Sequence, residues 1–412
     1  MRAPVPGSRG YIRAIVGAQM LAQIGAFALP ALLPSYIERW SLSKTEAGWL
    51  VGIFFAAYVV MVPLLVALTD RVPVRRVYLF GTGLTAISHL GFALFADGFW
   101  IAFLLRVLAG IGWAGTYMPG LKAIADPLDG VAQSRAVSWH AAGVGISGAT
   151  SFAIAGLVGS GFGPGAAFLL GGATAIAAVL LAAFVMPAAL AKPPGTTAAR
   201  NLLDFRPVLR NRAALGWIVG YTVHTWELAA LRAWGVTFLA ATAASQGAPS
   251  WFPDPTILFT LAGLTGIAAS ITGNETAQRW GRARIVTVAM STAAILSLIA
   301  GWSAGVSALL AAMLVVLWNG AIYFDSSALT AGTVQAADKE LRGTTMGLHS
   351  MCGYAGGFLG PLGVGLALDL VDGVPGWGLA FGHLAVITLT GLLILRRLGS
   401  RAVAAVPAMA GE

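Results

Sequence analysis

Twelve stretches of about 20 or more mostly apolar residues follow one another along this chain, each closed by a turn or charge signal. They fall near residues 12–36, 46–69, 77–96, 99–124, 136–159, 164–186, 213–241, 255–276, 285–302, 305–331, 344–370 and 376–396. A helix needs about 20 such residues to cross the hydrocarbon core of a bilayer. Composition agrees: 58% of the residues are hydrophobic, and only 10% are charged. A soluble domain carries roughly 25% charged residues, so the surface of a folded body of 412 residues cannot be solvated here. Disorder requires low hydrophobicity with high net charge and is excluded. The 53 glycines suit close packing between membrane helices. The fold class expected is an all-α integral membrane protein with twelve transmembrane helices.

The net charge of +9 admits two explanations, a nucleic-acid partner or basic loops on one side of a membrane. Position decides between them. An even number of spans puts both termini on one side. That side, with the loops after spans 2, 4, 6, 8 and 10, holds 21 of the 25 basic residues. The opposite side holds only Arg39 and Lys44, and Arg106 and Arg232 fall inside spans. The asymmetry places both termini in the cytoplasm, and basic charge scattered over seven short segments leaves no nucleic-acid surface. Met1 to Gly10 is short and basic, and the apolar run from Tyr11 to Tyr36 is too long for a signal peptide. It is read as a retained first span. The one cysteine, Cys352, permits no intrachain disulfide.

The longest hydrophilic stretch separates spans 6 and 7. It carries Pro193, Pro194, Gly195 and five basic residues. The chain is therefore divided into an N-terminal six-helix bundle (1–190), a cytoplasmic linker (191–212) and a C-terminal six-helix bundle (213–412). The halves echo each other. Asp70-Arg71-Val72-Pro73-Val74-Arg75-Arg76 follows span 2, and Gln278-Arg279-Trp280-Gly281-Arg282-Ala283-Arg284 follows span 8. Two parallel six-helix halves describe one large transporter architecture.

On these residues the chain resembles the major facilitator superfamily over essentially its whole length. That family's loop 2–3 signature, Gly-x-x-x-Asp-Arg-x-Gly-Arg-Arg, is met by Asp70, Arg71, Arg75 and Arg76, with Val66, Pro73 and Val74 departing from it. The second loop keeps Arg279, Gly281 and Arg282, while Gln278 replaces the acid. A helix 4 signature, Arg-x-x-x-Gly-x-Gly, is met by Arg106, Gly110 and Gly112. The helix 5 signature of antiporters needs a Gly-Pro pair. Span 5 offers Gly143, Gly145 and Gly148 without a proline, which favours uptake over drug export. The resemblance implies two pseudo-symmetric six-helix bundles, with helices 1, 4, 7 and 10 lining a central cavity. It also implies that the loop residues form a cytoplasmic gate, pairing with the other half when that side is shut. A breakable latch uses charge at a wet interface; plain positive-inside topology is the simpler account of the same arginines.

An ionisable residue within a span is costly and by default a functional candidate. Span 7 carries His224, Trp226, Glu227, Arg232 and Trp234. Glu227 lies near mid-span, and His224 three residues earlier shares its face. Arg232, five residues on, is about 140° away and is no simple partner for Glu227. Glu227 is the candidate proton carrier, since burial favours the uncharged form of a carboxyl group; a structural ion pair or hydrogen bond is the alternative. Arg106 and Arg232 present planar forks suited to carboxylate, nitrate or phosphate. They are candidate substrate ligands, although Arg106 equally suits tuning a carboxylate. Span 10 contributes Asn319 and Tyr323, four apart on one face, and Asp325, readable as a second proton carboxylate, a latch partner or a helix cap. Trp226 is a candidate wall of the site. His89, His140, His349 and His383 read as packing residues. Trp40, Trp49, Trp100, Trp251 and Trp377 near span ends read as interfacial anchors.

No Cys/His/Asp cluster has metal-ligand spacing, and no phosphate-binding loop sequence occurs. The chain is not read as an enzyme and is expected to need no cofactor beyond an ion gradient. The sequence therefore points to a monomeric, multi-pass secondary transporter of a bacterial inner (plasma) membrane. It takes up a small anion with a proton: Glu227 and Asp325 handle the proton, and Arg106, Arg232, His224, Asn319, Tyr323 and Trp226 bind substrate. Efflux of apolar or cationic compounds is the alternative within the class. A non-transporting scaffold or receptor is the alternative outside it.

Overall fold

The computed structural model describes residues 4–188 and 204–403, with side chains to 398. All regular elements among them are helical, and twelve helical stretches are long and apolar enough to cross a membrane. They are α1 (Arg9–Gln23 and Ala28–Trp40), α2 (Lys44–Leu68), α3 (Val74–Phe95), α4 (Phe99–Ala125), α5 (Gly130–Phe162) and α6 (Pro164–Val185). After the short helix Arg206–Arg210 come α7 (Arg212–Ser245), α8 (Pro255–Trp280), α9 (Arg282–Ser303), α10 (Ala308–Ala336), α11 (Arg342–Leu370) and α12 (Gly373–Val403). These match the twelve expected spans, half of them lengthened by a turn or more. Of the expected linker, residues 191–203, with Lys192 and Arg200, lie outside the described residues, as does Arg2.

Local chemistry sets the ends. Ser43 and Glu46 form a reciprocal capping box that starts α2. Asn211 caps α7, its Oδ1 accepting from Ala214 N at 3.0 Å. Gly281, at φ +93°, is the only residue between α8 and α9. That backbone region is open to glycine and strained for L side chains, which gives the repeated loop's glycine a physical reason. α1 is broken at Ile24–Phe27, where Ser151 of α5 donates to Ile24 O (2.7 Å) and accepts from Phe27 N (3.0 Å). Backbone groups freed inside a membrane need such partners.

Contacts divide the chain into two compact units. One comprises Met1–Arg200 with Arg232–Ala240 and Ser250–Leu264; the other comprises Asn201–Leu231, Ala241–Pro249 and Thr265–Glu412. In the first, α3 and α4 meet backbone to backbone: a Cβ on Gly115 would sit 2.7 Å from the Gly81 Cα. The helix 4 signature glycines serve the same closeness, Gly110 lying on the Phe54 carbonyl of α2 and Gly112 on the Gly81 carbonyl of α3. Tyr36, Phe92 and Phe168 form an aromatic core, with Phe92 stacked on Phe168 at 4.0 Å. In the second unit, Val223, Val286, Met290, Leu329 and Leu392 form one core, and Trp318 packs edge-on to Phe381. Large apolar side chains such as Phe80, Leu157, Ile295 and Leu393 point outward, as helices solvated by lipid require. Trp100 and Trp251 are exposed as anchors should be. Trp377 is not: it is buried and packs on Phe381, because the backbone of α12 closes onto Gly301 of α9 there.

Candidate functional site

The second unit contains two buried polar groups one turn apart on α7. Glu227 of α7 is 2% exposed, and both its oxygens are engaged by neutral donors. Trp318 Nε1 of α10 donates to Oε1 at 2.6 Å, and Thr388 Oγ1 of α12 donates to Oε2 at 2.8 Å. Among the described residues no lysine or arginine contacts this carboxyl group. One turn earlier on α7, His224 Nδ1 lies 2.7 Å from Asp325 Oδ1 of α10, and both residues are buried. The approach lacks the in-line geometry of a hydrogen bond, so it is a close charge contact whose strength depends on the protons each holds. His224 and Glu227 do share a face, and that face meets α10, where Trp318 and Asp325 stand seven residues, two helical turns, apart.

Aromatic rings adjoin the second of these groups. Tyr221 lies 5.7 Å from His224 and stacks on His349 of α11 at 3.8 Å between centroids. His349 Nδ1 is 3.0 Å from Thr333 Oγ1 and Nε2 is 3.5 Å from Thr330 Oγ1. Thr225 Oγ1 donates to Gly353 O at 2.6 Å, fastening α7 to α11. Asp325 stands inside α10, which runs to Ala336, and is not a helix cap. Asn319 is buried on the same helix. Tyr323 lies against Gly266 of α8, where a Cβ would meet its ring at 2.7 Å. The backbone of Trp226 packs on Gly356 and Gly360 of α11, and its indole Nε1 is buried without a partner.

The two intramembrane arginines lie in the first unit. Arg106 is 3% exposed. Its Nε donates to Leu50 O at 3.2 Å, and its guanidinium lies 4.9 Å from the Phe54 ring centroid. Among the described residues no carboxylate pairs with it. Arg232 lies over the Phe27 ring at 5.1 Å. Each arginine thus has an aromatic face beside it, a placement favourable to a cation.

The repeated loops are fastened by different chemistry. Asp70 pairs with Lys122 of α4 at 3.4 Å, and Lys122 also meets Asp126 at 3.2 Å. Arg75 donates to Ala183 O of α6 at 2.8 Å. In the second loop Arg282 donates to Asn274 Oδ1 (3.0 Å) and to Ala328 O of α10 (3.1 Å). Arg71 and Arg76 follow Asp70 in the first loop, and Arg279 stands at the exposed end of α8 beside Gly281.

Trp318, Thr388 and Thr333 were not singled out by sequence reasoning. Neutral residues in apolar helices carry no charge signal. Only the fold reveals that Trp318 and Thr388 point at Glu227 of α7 and that Thr333 points at His349 of α11. His349, read as packing, is stacked and doubly hydrogen-bonded. It stands well inside α11, which begins at Arg342.

Residues 15–361 match the family model described as Major Facilitator Superfamily. A stretch of 114 residues is 29% identical to an uncharacterized MFS-type transporter, YwoD, of Bacillus subtilis (strain 168). The match covers 28% of this chain and 25% of that protein, so the chain spans about a quarter of the length of the curated relative it matches. A solved structure of the nucleoside transporter NupG, in mutant form, superposes with a TM-score of 0.78 at 15% identity, over 94% of this chain and 99% of that one. A bacterial homolog to the human lysosomal transporter Spinster, inward-facing and unoccupied, gives 0.72 at 17% identity over 96% of each chain. At such identities the likeness establishes the shared fold. The proteins matched are transporters, not enzymes.

Proposed function

The chain belongs to the Major Facilitator Superfamily, and from that premise we propose a secondary active transporter that couples protons to uptake of a small organic or inorganic anion. The observation that supports this most is the setting of Glu227. An indole N–H can only donate, whereas a threonine hydroxyl can donate or accept. Trp318 therefore holds Oε1 as an acceptor in every state. A proton arriving on Oε2 turns Thr388 Oγ1 from donor to acceptor, and no hydrogen bond is lost. Both protonation states are then satisfied in a buried position, which a reversible proton site within a membrane requires. His224 and Asp325 supply a second acid–base pair one turn away.

The anion assignment rests on Arg106, a buried arginine with no carboxylate partner among the described residues. A fork of N–H donors in a low-dielectric site attracts carboxylate, nitrate or phosphate oxygens. In this reading Arg232, His224, Asn319, Tyr323 and Trp226 complete the binding surface. Asp70, Arg71, Arg75, Arg76, Arg279, Gly281 and Arg282 form the cytoplasmic gate of an alternating-access cycle. The same reading has the protein act as a monomer in a bacterial inner membrane, and the basic loops support termini on the cytoplasmic side. The domain division at 191–212 belongs to the same reading.

Proteoliposomes test it. Nitrate, phosphate, acetate and lactate are offered with an inward proton gradient. At least one should accumulate in step with proton entry. Glu227→Gln should abolish gradient-driven uptake while leaving solute exchange intact. Proton-driven extrusion of apolar or cationic compounds with Arg106→Ala fully active would instead support efflux. Absence of any gradient-driven flux would leave the scaffold reading.

A further inference from the structure

By chain order α5 belongs to the N-terminal half and α8 to the C-terminal half. Contacts nevertheless place the start of α8, within Ser250–Leu264, in the first unit with α5. The two helices meet along small residues. A Cβ on Gly263 would lie 2.8 Å from the Ala149 Cβ, and one on Gly156 would fall on the Thr256 hydroxyl. Phe152 and Phe259 meet at the same junction, with ring centroids 5.5 Å apart. Between them in sequence one hydroxyl reaches the backbone of the neighbouring helix. Thr260 Oγ1 accepts from Ala153 N at 2.9 Å and donates toward Ala149 O at 3.0 Å. Residues 149 and 153 are four apart, so this amide and this carbonyl are the two ends of one α-helical rung. The same hydroxyl lies 3.0 Å from Thr256 O, one turn back on its own helix.

A hydroxyl has one proton to give. Joined to α5, Thr260 gives it to Ala149 O while receiving from Ala153 N. Parted from α5, it gives the proton to Thr256 O, and Ala153 N keeps Ala149 O as its partner. Every polar group is satisfied in both arrangements. Parting therefore strands no amide or carbonyl in apolar surroundings, where an unpaired one is costly. The other hydroxyl junction of α5 is of the opposite kind, because Ser151 serves backbone groups that the break in α1 has freed. We propose that Thr260 is a reversible clasp between α5 and α8. It favours the state in which these helices are joined, and it releases them at small cost when the two halves of the chain move. The clasp goes beyond the anion and proton assignments and needs neither.

Its test requires no solute. Full-length protein carrying Cys352→Ser and Thr256→Cys is placed in lipid nanodiscs and labelled with a polar maleimide, since position 256 is 5% exposed while the helices are joined. Thr260→Val, added to this parent, keeps the shape and removes the hydroxyl. It should speed labelling about fivefold, the effect of losing one net hydrogen bond from the joined state. It should also melt within about 2 °C of the parent, because α5 closes its own rung. Thr260→Ser keeps the hydroxyl and should label at the parent rate. Ser151→Ala should melt clearly lower than either, because the groups it serves have no second home. Labelling unmoved by Thr260→Val would mean that the hydroxyl does not hold the junction, and the proposal falls. It falls equally if Thr260→Val melts as low as Ser151→Ala, which would make the contact a fixed part of the fold.

Discussion

The two units bury ionisable groups in opposite ways. In the first, Arg106 rests on a backbone carbonyl, Leu50 O, and a phenyl face, Phe54. Neither partner can change its role. In the second, Glu227 and Asp325 are met by side chains: an indole, a hydroxyl and an imidazole from α10, α12 and α7. Two of those three can exchange donor for acceptor. A fixed setting suits a group that holds its charge throughout a cycle, and an adjustable setting suits one that gains and loses a proton. On the proposed reading, charge that stays and charge that moves are set in different surroundings.

The contrast can be broken experimentally, and the effect expected largest comes from the adjustable side. Glu227→Gln, nearly isosteric, should reduce proton-driven uptake by about a hundredfold or more, as loss of a proton-transfer group does, while the melting temperature barely moves. Uptake that kept its full proton dependence would mean the moving charge lies elsewhere. Next is the fixed side's scaffold. Gly115→Ala forces a methyl onto the Gly81 backbone and should cost about 3 kcal/mol in stability, the upper range for overpacking. Denaturant titration in detergent would show it, and a wild-type midpoint would mean α3 and α4 are less tightly joined than described. Trp318→Phe removes the one obligate donor to Glu227 and should cost about 2 kcal/mol while altering the pH dependence of uptake. Unchanged pH dependence would free Glu227 from the proton role. The smallest effect belongs to the loops. Asp70→Asn breaks a pair whose side chains are 61% and 31% exposed, worth under about 1 kcal/mol. Any change in transport rate should therefore exceed the change in stability and shrink at high salt.

These pairs also show where sequence reasoning reached. The spans were legible because apolar length is nearly all a membrane helix needs, and the linker and loops because charge is rare enough to stand out. Glu227 and Arg106 were legible for the same reason. Their partners were not: Trp318, Thr388 and Leu50 are ordinary residues whose significance comes from facing an acid or a cation across a helix interface. Thr260 was missed on similar grounds, being uncharged. His349 was read as a packing residue, but its partners were not legible, because the two threonines lie three residues apart on a different helix. Asp325 was read close to a helix end because the apolar signal of α10 fades before the helix does.

The break in α1 has a mechanical consequence. One hydroxyl, Ser151 Oγ, holds both loose ends of the interrupted backbone. Were α1 to slip along α5 by a single residue, two peptide groups would be stranded in hydrocarbon at once. The joint therefore behaves as a detent: α1 and α5 travel together as one lever, and any motion that moves solute must carry both.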